Sequence, residues 1–260
     1  MSDSILEIER NGNVATLWLN RPDVHNAFDE HLIAAITIAL REVDADESVR
    51  VVVLGGRGKS FCAGGDLQWM RRMAGFSREE NLADAGALAE MLRTLAGLSK
   101  PTIARVHGAA LAGATGLVSA CDIAIAVPEA KFGTTEVRLG LIPATISPYV
   151  IRAIGARAAQ RYFLTGERFD AAEAHRLGLV HEVVAAEALD ARIAGIIEAL
   201  LAGAPIALAD CKNLIEDMRD KPVNADLIAD TTRRIADARG SIEAREGIGA
   251  FFEKRKPSWG

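Results

Sequence analysis

The chain has 260 residues and a mass of 27.7 kDa, enough for one large domain or for one domain with a small helical extension. Half of the residues are hydrophobic and a quarter are charged, which excludes an intrinsically disordered chain. The formal net charge of −5 gives no attraction to nucleic acid or to an anionic membrane, so we expect neither as a partner.

Three further absences narrow the class of protein. No stretch approaches the roughly 20 apolar residues of a membrane span, and the first ten residues lack the basic and apolar parts of an export signal. Cys62, Cys121 and Cys211 are odd in number and share no CxxC spacing, which predicts neither a disulfide framework nor a thiolate metal site. We therefore expect a cytoplasmic protein.

The first half of the sequence predicts strands that alternate with helices. Two short alternating segments flank Asn11-Gly12, a dipeptide that favours the tight turn of a hairpin. Asp29 is placed to cap a helix, because apolar residues follow it at helical spacing. Further strands are predicted at 50–54, 102–108 and 122–127, and helices at 66–75, 79–98 and 113–121.

The last third is predicted to be mainly helical. The segment 180–184 is its last clear strand pattern. Helical patterns follow at 186–203, 205–218, 224–239 and 242–254. No repeat of 20 to 50 residues is visible as sequence identity, so any structural repeat has to be cryptic.

Glycine is concentrated between residues 55 and 65, directly after a predicted strand. A phosphate-binding loop is rejected there because Val53 stands where the motif needs its first glycine, and a dinucleotide fingerprint fails because Phe61 replaces its third. Two interpretations remain open: a tight turn that needs glycine only for its geometry, or a backbone whose amides near Ala63 face a ligand.

A second glycine cluster, at 108–116, also leaves a strand and begins a helix. A helix that starts near Gly113 offers unpaired N–H groups and the positive end of its dipole. Together the two clusters can supply two N–H donors to one carbonyl oxygen, as in an oxyanion hole. Close packing between helices is the alternative explanation for so many small residues.

Glu136 is the most informative titratable residue, since it lies among apolar residues in the segment 132–142. Burial would raise its pKa toward the range of a general acid or base, whereas a helix cap or an ion pair with Arg138 is the alternative. The histidines lack zinc-site spacing, His107 is expected to pack at a strand end, and no GxSxG elbow is present. Cys62 is expected to fill the turn rather than to act as a nucleophile.

Six segments together resemble the crotonase, or enoyl-CoA hydratase/isomerase, superfamily. They are NRPDVHNAF at 20–28, GRGKSFCAGGDL at 56–67, VHGAALAG at 106–113, ACDIAIA at 120–126, FGTTEVRLGLIP at 132–143 and EGIGAFFEKRKP at 246–257. The resemblance implies an α/β fold built as a spiral of ββα units over residues 1–200, with a helical region at 201–260 for trimerisation. It also implies an acyl-CoA thioester as substrate, a trimer or dimer of trimers, and no separate cofactor or metal.

The resemblance assigns roles to individual residues. Ala63 and Gly113 match the two amide donors to the thioester oxygen, and Glu136 matches one of two family glutamates. Gly116 stands where the family hydratases with two carboxylates have the other. The residues expected to bind the substrate are His25, Ala27, Gly64, Asp66, Leu67, Gly116, Pro143 and Lys254.

The segments GLVSACDIAIA and EVRLGLIPATISPYVIRAIG resemble most the branch that hydrates 3-methylglutaconyl-CoA and γ-carboxygeranoyl-CoA. We therefore expect a hydratase acting on a branched or carboxylated enoyl-CoA. The alternatives are a double-bond isomerase that uses Glu136 alone and a non-catalytic acyl-CoA-binding protein. Arg71, Arg72 and Arg138 are candidates for a substrate carboxylate, and the run 254–256 for the CoA phosphates. Trp69, Met70 and Met73 line the acyl group or belong to the core.

Overall fold

The computed structural model describes residues 4–259. Residues 1–3, which belong to the predicted spiral region and to the segment inspected for an export signal, and residue 260 of the predicted helical region lie outside the described residues. The strands are β1 Leu6–Asn11, β2 Val14–Leu19, β3 Val51–Gly56, β4 Thr102–Val106, β5 Ala109–Leu111, β6 Ile123–Ala126, β7 Lys131–Gly133, β8 Arg168–Asp170 and β9 Glu182–Val183. The helices are α1 Glu30–Ala45, α2 Leu67–Met73, α3 Arg78–Ala96, α4 Gly113–Ala120, α5 Ser147–Thr165, α6 Ala171–Leu177, α7 Leu189–Leu201, α8 Pro205–Met218, α9 Ala225–Gly240 and α10 Ile242–Glu253. Short 3-10 helices occur at Pro22–Val24, Glu136–Leu139 and Ala186–Ala188.

Two sheets organise the first two thirds of the chain. The larger has the order β1-β2-β3-β4-β6-β9 and is parallel after the β1–β2 hairpin. The smaller has the order β5-β7-β8. Two isolated parallel bridges, Phe28 with Gly65 and Cys62 with Ala110, run alongside this small sheet and extend its pattern toward the N-terminal elements.

Successive turns of the chain repeat one pattern. Each contributes a strand to the large sheet, then a strand or bridge at the small sheet, then a helix: β3, Cys62 and α2; β4, β5 and α4; β6, β7 and α5. The predicted α/β spiral of ββα units is confirmed. The repeat is cryptic because β5 and β7 are only three residues long, too short for a period-two pattern to be visible.

The predicted N-terminal elements form for the expected reasons. Gly12 takes a φ of +55° in the hairpin turn, and the Asp29 side chain accepts a hydrogen bond from the Leu32 amide at 2.8 Å to cap α1. The apolar face of α1 is buried against the large sheet and α3, at Leu32, Ile33, Ile36, Leu40 and Val43. The sequence patterns missed β5, β7 and β8, and they did not resolve helices α5 and α6.

The C-terminal helices attach to this core mainly through polar groups. No described residue of α8 or α9 is buried. Lys212 on α8 donates to an Asp122 carboxylate oxygen at 2.6 Å, and that same oxygen accepts from the amide (2.7 Å) and hydroxyl (2.8 Å) of Thr102 on β4. The guanidinium of Arg50 donates to the carbonyls of Gly203 and Trp259.

Two further findings concern the described range. Between residues 4 and 259, no three His, Cys, Asp or Glu side chains are grouped so that they could share a metal ion. No single helix in that range is long and apolar enough to span a membrane. The pair Ala186–Leu201 and Pro205–Met218, bent by 102°, meets that test jointly by length and composition.

Replacing Asp122 should loosen the attachment of α8. We expect Asp122→Ala to lower the free energy of unfolding by about 2 to 3 kcal/mol, because Thr102 and the half-buried Lys212 lose their shared acceptor. Urea unfolding measures the change. The matched control is Asp190→Ala, which removes an ion pair between Arg105 and an Asp190 side chain that is 76% exposed, and it should cost about 1 kcal/mol or less. Equal losses in the two variants would contradict the assignment.

Candidate active site

Phe28 holds the loop that follows β3. Its amide donates to the Gly64 carbonyl and its carbonyl accepts from the Asp66 amide, both at 2.7 Å. In a parallel bridge of this kind the residue opposite, here Gly65, directs its own N–H away from its partner strand. Gly64 allows the loop to lie close to β5, because it has a φ of +98° and a Cβ there would lie 3.1 Å from the Leu111 carbonyl oxygen and 3.2 Å from Cβ of Ala112. The Gly65 amide is thus directed away from Phe28, and no partner for it occurs within residues 4–259.

The prediction that the Ala63 amide is free for a ligand is wrong. That amide donates to the His25 carbonyl at 3.0 Å. Cys62, one residue earlier, is joined to β5 through its own amide and carbonyl. The amide that the bridge to Phe28 directs away from its partner strand is that of Gly65, two positions later than expected.

Gly113 begins α4 with an amide that has no acceptor in the described part of the chain. A Cβ at Gly113 would lie 3.1 Å from the Phe28 ring, so the same residue that brackets Gly65 also packs against Gly113. Ala112, which precedes it, has a φ of +51°, which is strained for a residue with a side chain. Phe28 therefore contacts both the segment that holds the Gly65 amide and the start of α4 at Gly113.

Glu136 lies in the segment that leaves β7 and returns to α4. The segment starts at Gly133, whose carbonyl accepts from the Ala112 amide at 2.7 Å, and it reaches α4 again at Ile146. Glu136 is half-buried, and its Oε2 is buried without a hydrogen-bond partner among the described atoms. Burial raises the pKa of Glu136, and its own backbone amide opposes this only in part. Of the two interpretations of Glu136, the structure favours the desolvated carboxylate.

The position of a second carboxylate is filled by an apolar side chain. A Cβ at Gly116 would lie 2.3 Å from Cγ2 and 2.7 Å from Cβ of Ile146, a residue that is 1 % exposed. Gly116 is therefore not a vacancy: Ile146 occupies the space that a side chain at 116 would need. Glu136 is left without a neighbouring acid from this position.

Comparison with known proteins decides the family. The sequence profile described as Enoyl-CoA hydratase/isomerase matches residues 9–260. The chain belongs to the enoyl-CoA hydratase/isomerase family. A putative enoyl-CoA hydratase of Thermus thermophilus is 35% identical, with 97% of this chain and 99% of that one covered. A crotonyl-CoA hydratase of Syntrophomonas wolfei is 31% identical, with 97% and 96% covered.

A solved structure gives the same result for the fold. The crystal structure of an enoyl-CoA hydratase from Shewanella pealeana superposes with a TM-score of 0.96 at 45% identity, with 99% of this chain and 97% of that one covered. The crotonase fold predicted from the six motifs is confirmed, as is the prediction of an enzyme of the enoyl-CoA hydratase type, in agreement with the names of these relatives. The finer branch within the family stays a prediction.

Asp66 fixes the backbone directly after Gly65. Its carboxylate caps α2 by accepting from the Gln68 and Trp69 amides, and it pairs with Arg21 at 3.1 Å. Burial by itself would raise the pKa of Asp66, but the two amides and Arg21 outweigh it and lower that pKa. Since the carboxylate is already occupied, its contribution to the site is to hold Gly65 in place.

The remaining residues predicted to bind substrate differ in accessibility. His25 is exposed, with its Nδ1 3.1 Å from the Ser60 hydroxyl, and Leu67 is 75 % exposed beside Asp66. Ala27, Gly64 and Pro143 are buried. Lys254 is exposed at the end of α10, and the described hydrogen bonds of residues 242–259 to the rest of the chain lead to Arg50 and the 202–207 turn, not to the segments of Glu136, Gly65 or Gly113.

The structure ranks the three arginine candidates. Arg72 donates to both carboxylate oxygens of Glu30 at 2.7 Å. Arg138 is exposed, and its side chain lies against Gly166, with Nε 3.1 Å from the position of a Cβ at that glycine. Arg71 is exposed on α2 and forms no salt bridge with any residue from 4 to 259. In the basic run at 254–256, Arg255 is already paired with Glu246 and Glu253.

Several other residues have structural roles. Trp69 belongs to the core and donates its indole N–H to Asp84, whereas Met70 lies 3.4 Å from the Cβ position of Gly65. Cys62 is fully buried, which raises the pKa of its thiol to about 12 and makes it unsuited as a nucleophile. His107 is hydrogen-bonded to the Gly58 carbonyl at 2.9 Å, as expected of a packed strand-end residue.

Sequence reasoning missed Gly65, Phe28 and Ile146. For Gly65 a signal was available, since it is the last glycine before the helix cap Asp66. No signal was available for Ile146, which is 30 positions from Gly116 and meets it only through the packing of α5 on α4.

A side chain at Gly116 should be incompatible with Ile146. We expect Gly116→Ala to lower the free energy of unfolding by about 1 to 3 kcal/mol, because its Cβ overlaps Ile146. In an Ile146→Ala background the same change should cost less, and a double-mutant cycle by urea unfolding measures the difference. The control is Gly86→Ala on α3, where no atom lies within 4 Å and no loss is expected. Additive costs at 116 and 146 would contradict the overlap.

The raised pKa of Glu136 should make its ionised form a cost to stability. An unfolded chain has the ordinary pKa of 4.5 and ionises first as the pH rises, so stability is lost as the pH rises from there through the raised native pKa, above which the loss is complete. We expect Glu136→Gln to be more stable than the wild type at neutral pH, with the advantage shrinking as the pH falls toward 4.5. Thermal unfolding across pH measures this. Glu30→Gln, which alters a carboxyl of lowered pKa, should show the opposite trend.

Proposed function

We propose that this protein hydrates the 2,3 double bond of an enoyl-CoA thioester whose acyl group is branched or carboxylated. The observation that carries the proposal is a desolvated carboxylate, Glu136, on a segment that begins and ends at the helix whose first amide, that of Gly113, is unpaired. The relatives named enoyl-CoA hydratase and crotonyl-CoA hydratase support the reaction type.

In the proposed mechanism, the Gly65 and Gly113 amides donate to the thioester oxygen and stabilise the negative charge that develops there. The Glu136 carboxylate takes a proton from water as the water oxygen bonds to the β-carbon, and an enolate forms. The carboxylic acid then returns that proton to the α-carbon. The net change is the addition of H and OH, with Glu136 restored to its starting form and no cofactor consumed.

The arrangement around Gly116 favours a second candidate function. With Ile146 in the place of another carboxylate, Glu136 has to activate water and protonate carbon alone. A double-bond isomerase makes a smaller demand, since one carboxylate can take a proton from one carbon and return it to another without water. The lone carboxylate therefore makes the isomerase the second candidate, beside the hydratase that the named relatives support.

Arg71 is the cation proposed to meet a substrate carboxylate. It lies on the same face of α2 as the exposed Leu67, four residues before it, and α2 begins next to Gly65. Arg72 is already paired with Glu30, which supports Arg71 over Arg72, and the Arg138 side chain lies against Gly166. The preference for the 3-methylglutaconyl branch rests on the sequence resemblance.

The CoA phosphates are proposed to bind His25 and Lys59, which are both exposed. The two residues are neighbours because His25 is hydrogen-bonded to Ser60, the residue after Lys59. Lys254 would then serve a neighbouring subunit. The apolar side chains that α8, α9 and α10 expose, including Ile215, Phe251 and Phe252, support a homo-oligomer with these helices at its contacts. A trimer or dimer of trimers, and a cytoplasmic location, stay predictions of the sequence.

Turnover in ¹⁸O-enriched water separates the two reactions. Crotonyl-CoA, 3-methylglutaconyl-CoA and a 3-enoyl-CoA are incubated with the enzyme, and the products are analysed by mass spectrometry. We expect one heavy oxygen in the product, with the highest kcat/KM for 3-methylglutaconyl-CoA. A product that is isomerised without label would replace the hydratase by the isomerase.

Glu136→Gln is the control for the chemistry. We expect its kcat to fall by at least about 100-fold, because a general acid or base contributes roughly that factor. Turnover unchanged in Glu136→Gln would show that another group acts as the base. Tight binding of the thioesters without any wild-type turnover would point instead to a non-catalytic acyl-CoA-binding protein.

A further inference from the structure

Thr115 is a fully buried hydroxyl residue in the first turn of α4. Its Oγ1 lies 2.8 Å from the Ala110 carbonyl and 3.1 Å from the Gly133 carbonyl, to which it can donate. The same oxygen accepts from the Gly133 amide at 3.3 Å. One side chain of α4 is therefore bonded to both β5 and β7, the two strands that lead into the proposed site.

The first of these strands ends at the Ala112–Gly113 peptide. The ψ of −121° at Ala112 sets the plane of that peptide and thus the direction of the Gly113 N–H. Because φ is +51° at Ala112, this conformation persists only where neighbouring contacts enforce it. The contacts are the bond from the Ala112 amide to the Gly133 carbonyl and the bond from the Thr115 amide to the Ala112 carbonyl.

The second strand leads to Glu136. Gly133 ends β7, and only Thr134 and Thr135 separate it from the carboxylate. Thr134 is buried, and its hydroxyl donates to the Tyr162 carbonyl of α5. A displacement of Gly133 would therefore move the start of the Glu136 segment, while the far side of that segment is held by α5.

We propose that Thr115 is a positioning residue that keeps the Gly113 amide and the Glu136 carboxylate in one fixed relation. The Gly133 carbonyl accepts hydrogen bonds from both the Thr115 hydroxyl and the Ala112 amide. Thr115 thereby links this carbonyl to the helix that begins at Gly113. The proposal rests on the proposed function, because it presumes that both groups act on one thioester. Thr115 is 0 % exposed and, among the described residues, its hydroxyl bonds only to backbone groups of Ala110 and Gly133, so its effect passes through the backbone.

Thr115→Val tests this, because valine keeps the shape and removes the hydroxyl. We expect kcat to fall about 10- to 100-fold, as for a small misplacement of catalytic groups, with KM changed less than about three-fold. Thr115→Ser, which keeps the hydroxyl, should stay within about two-fold of the wild-type kcat. If the valine variant fails to fold, Thr115→Ala is compared with Thr115→Ser in the same way.

Thr102→Val is the matched control for the loss of any buried hydroxyl. Thr102 is equally buried, and it bonds to Asp122, which follows the C-terminal end of α4, whereas Gly113 begins that helix. We expect it to lower Tm as Thr115→Val does while leaving kcat within about two-fold. A loss of kcat in Thr115→Val no greater than in Thr102→Val would overturn the proposal, since Thr115 would then be merely structural.

Infrared spectroscopy separates this proposal from the proposed function. The probe is butyryl-CoA labelled with ¹³C at its thioester carbonyl, which binds without reacting. The wild type should lower the carbonyl stretching frequency relative to water, and Thr115→Val should lower it less, whereas Thr102→Val should match the wild type. If the wild type lowers the carbonyl stretching frequency but turns over no thioester, the proposed function is refuted. The role of Thr115 is then decided by comparing the frequency in Thr115→Val with that in the wild type. No shift in the wild type, or the same shift in Thr115→Val, would overturn the role of Thr115.

Discussion

The two hydrogen bonds between Phe28 and the Gly64–Asp66 segment are the contact on which the site depends. They direct the Gly65 amide away from the Phe28 segment, while the Phe28 ring packs against Gly113. Arg21 reinforces this contact, since it pairs with Asp66 and Asp29 at 3.1 and 3.0 Å and so joins the caps of α2 and α1. Backbone donors need such a frame because no side-chain rotation can correct their direction.

The second constraint is the burial of Glu136. A buried carboxylate oxygen without a hydrogen-bond partner, here Oε2, costs stability, yet the same desolvation brings the pKa of Glu136 toward the range in which it can exchange protons. The segment around Glu136 is apolar, but a single chain leaves it partly open to solvent, because Leu139, Leu141 and Ile142 expose much of their surface. Covering them in an oligomer of the proposed kind would remove more water from Glu136 and strengthen the effect.

Gly116 and Ile146 act as one feature. The loss of a side chain at 116 is matched by a buried isoleucine that fills the volume. Position 116 therefore supplies no acid that could share the proton transfers with Glu136.

Local patterns were sufficient for much of the fold. The cap at Asp29, the hairpin at Gly12 and the apolar face of α1 all involve residues within a few positions of each other, so periodicity and turn chemistry predicted them. The order of six motifs identified the family, and the apolar neighbours of Glu136 in sequence made desolvation one of the two interpretations of that residue. The strands β5 and β7 were not predicted, because each has only three residues and an alternation of polar and apolar residues cannot be recognised over that length.

The sequence by itself determined the family, the two glycine-rich loops and the carboxylate. Only the tertiary structure decided that the Ala63 amide is taken by His25, that the Gly65 amide points away from Phe28, and that Ile146 fills the place beside Gly116. The physical reason is the same in each case. Which amide remains unpaired, and which side chain occupies a volume, depend on partners 30 or more positions away, and spacing along the chain carries no record of those contacts.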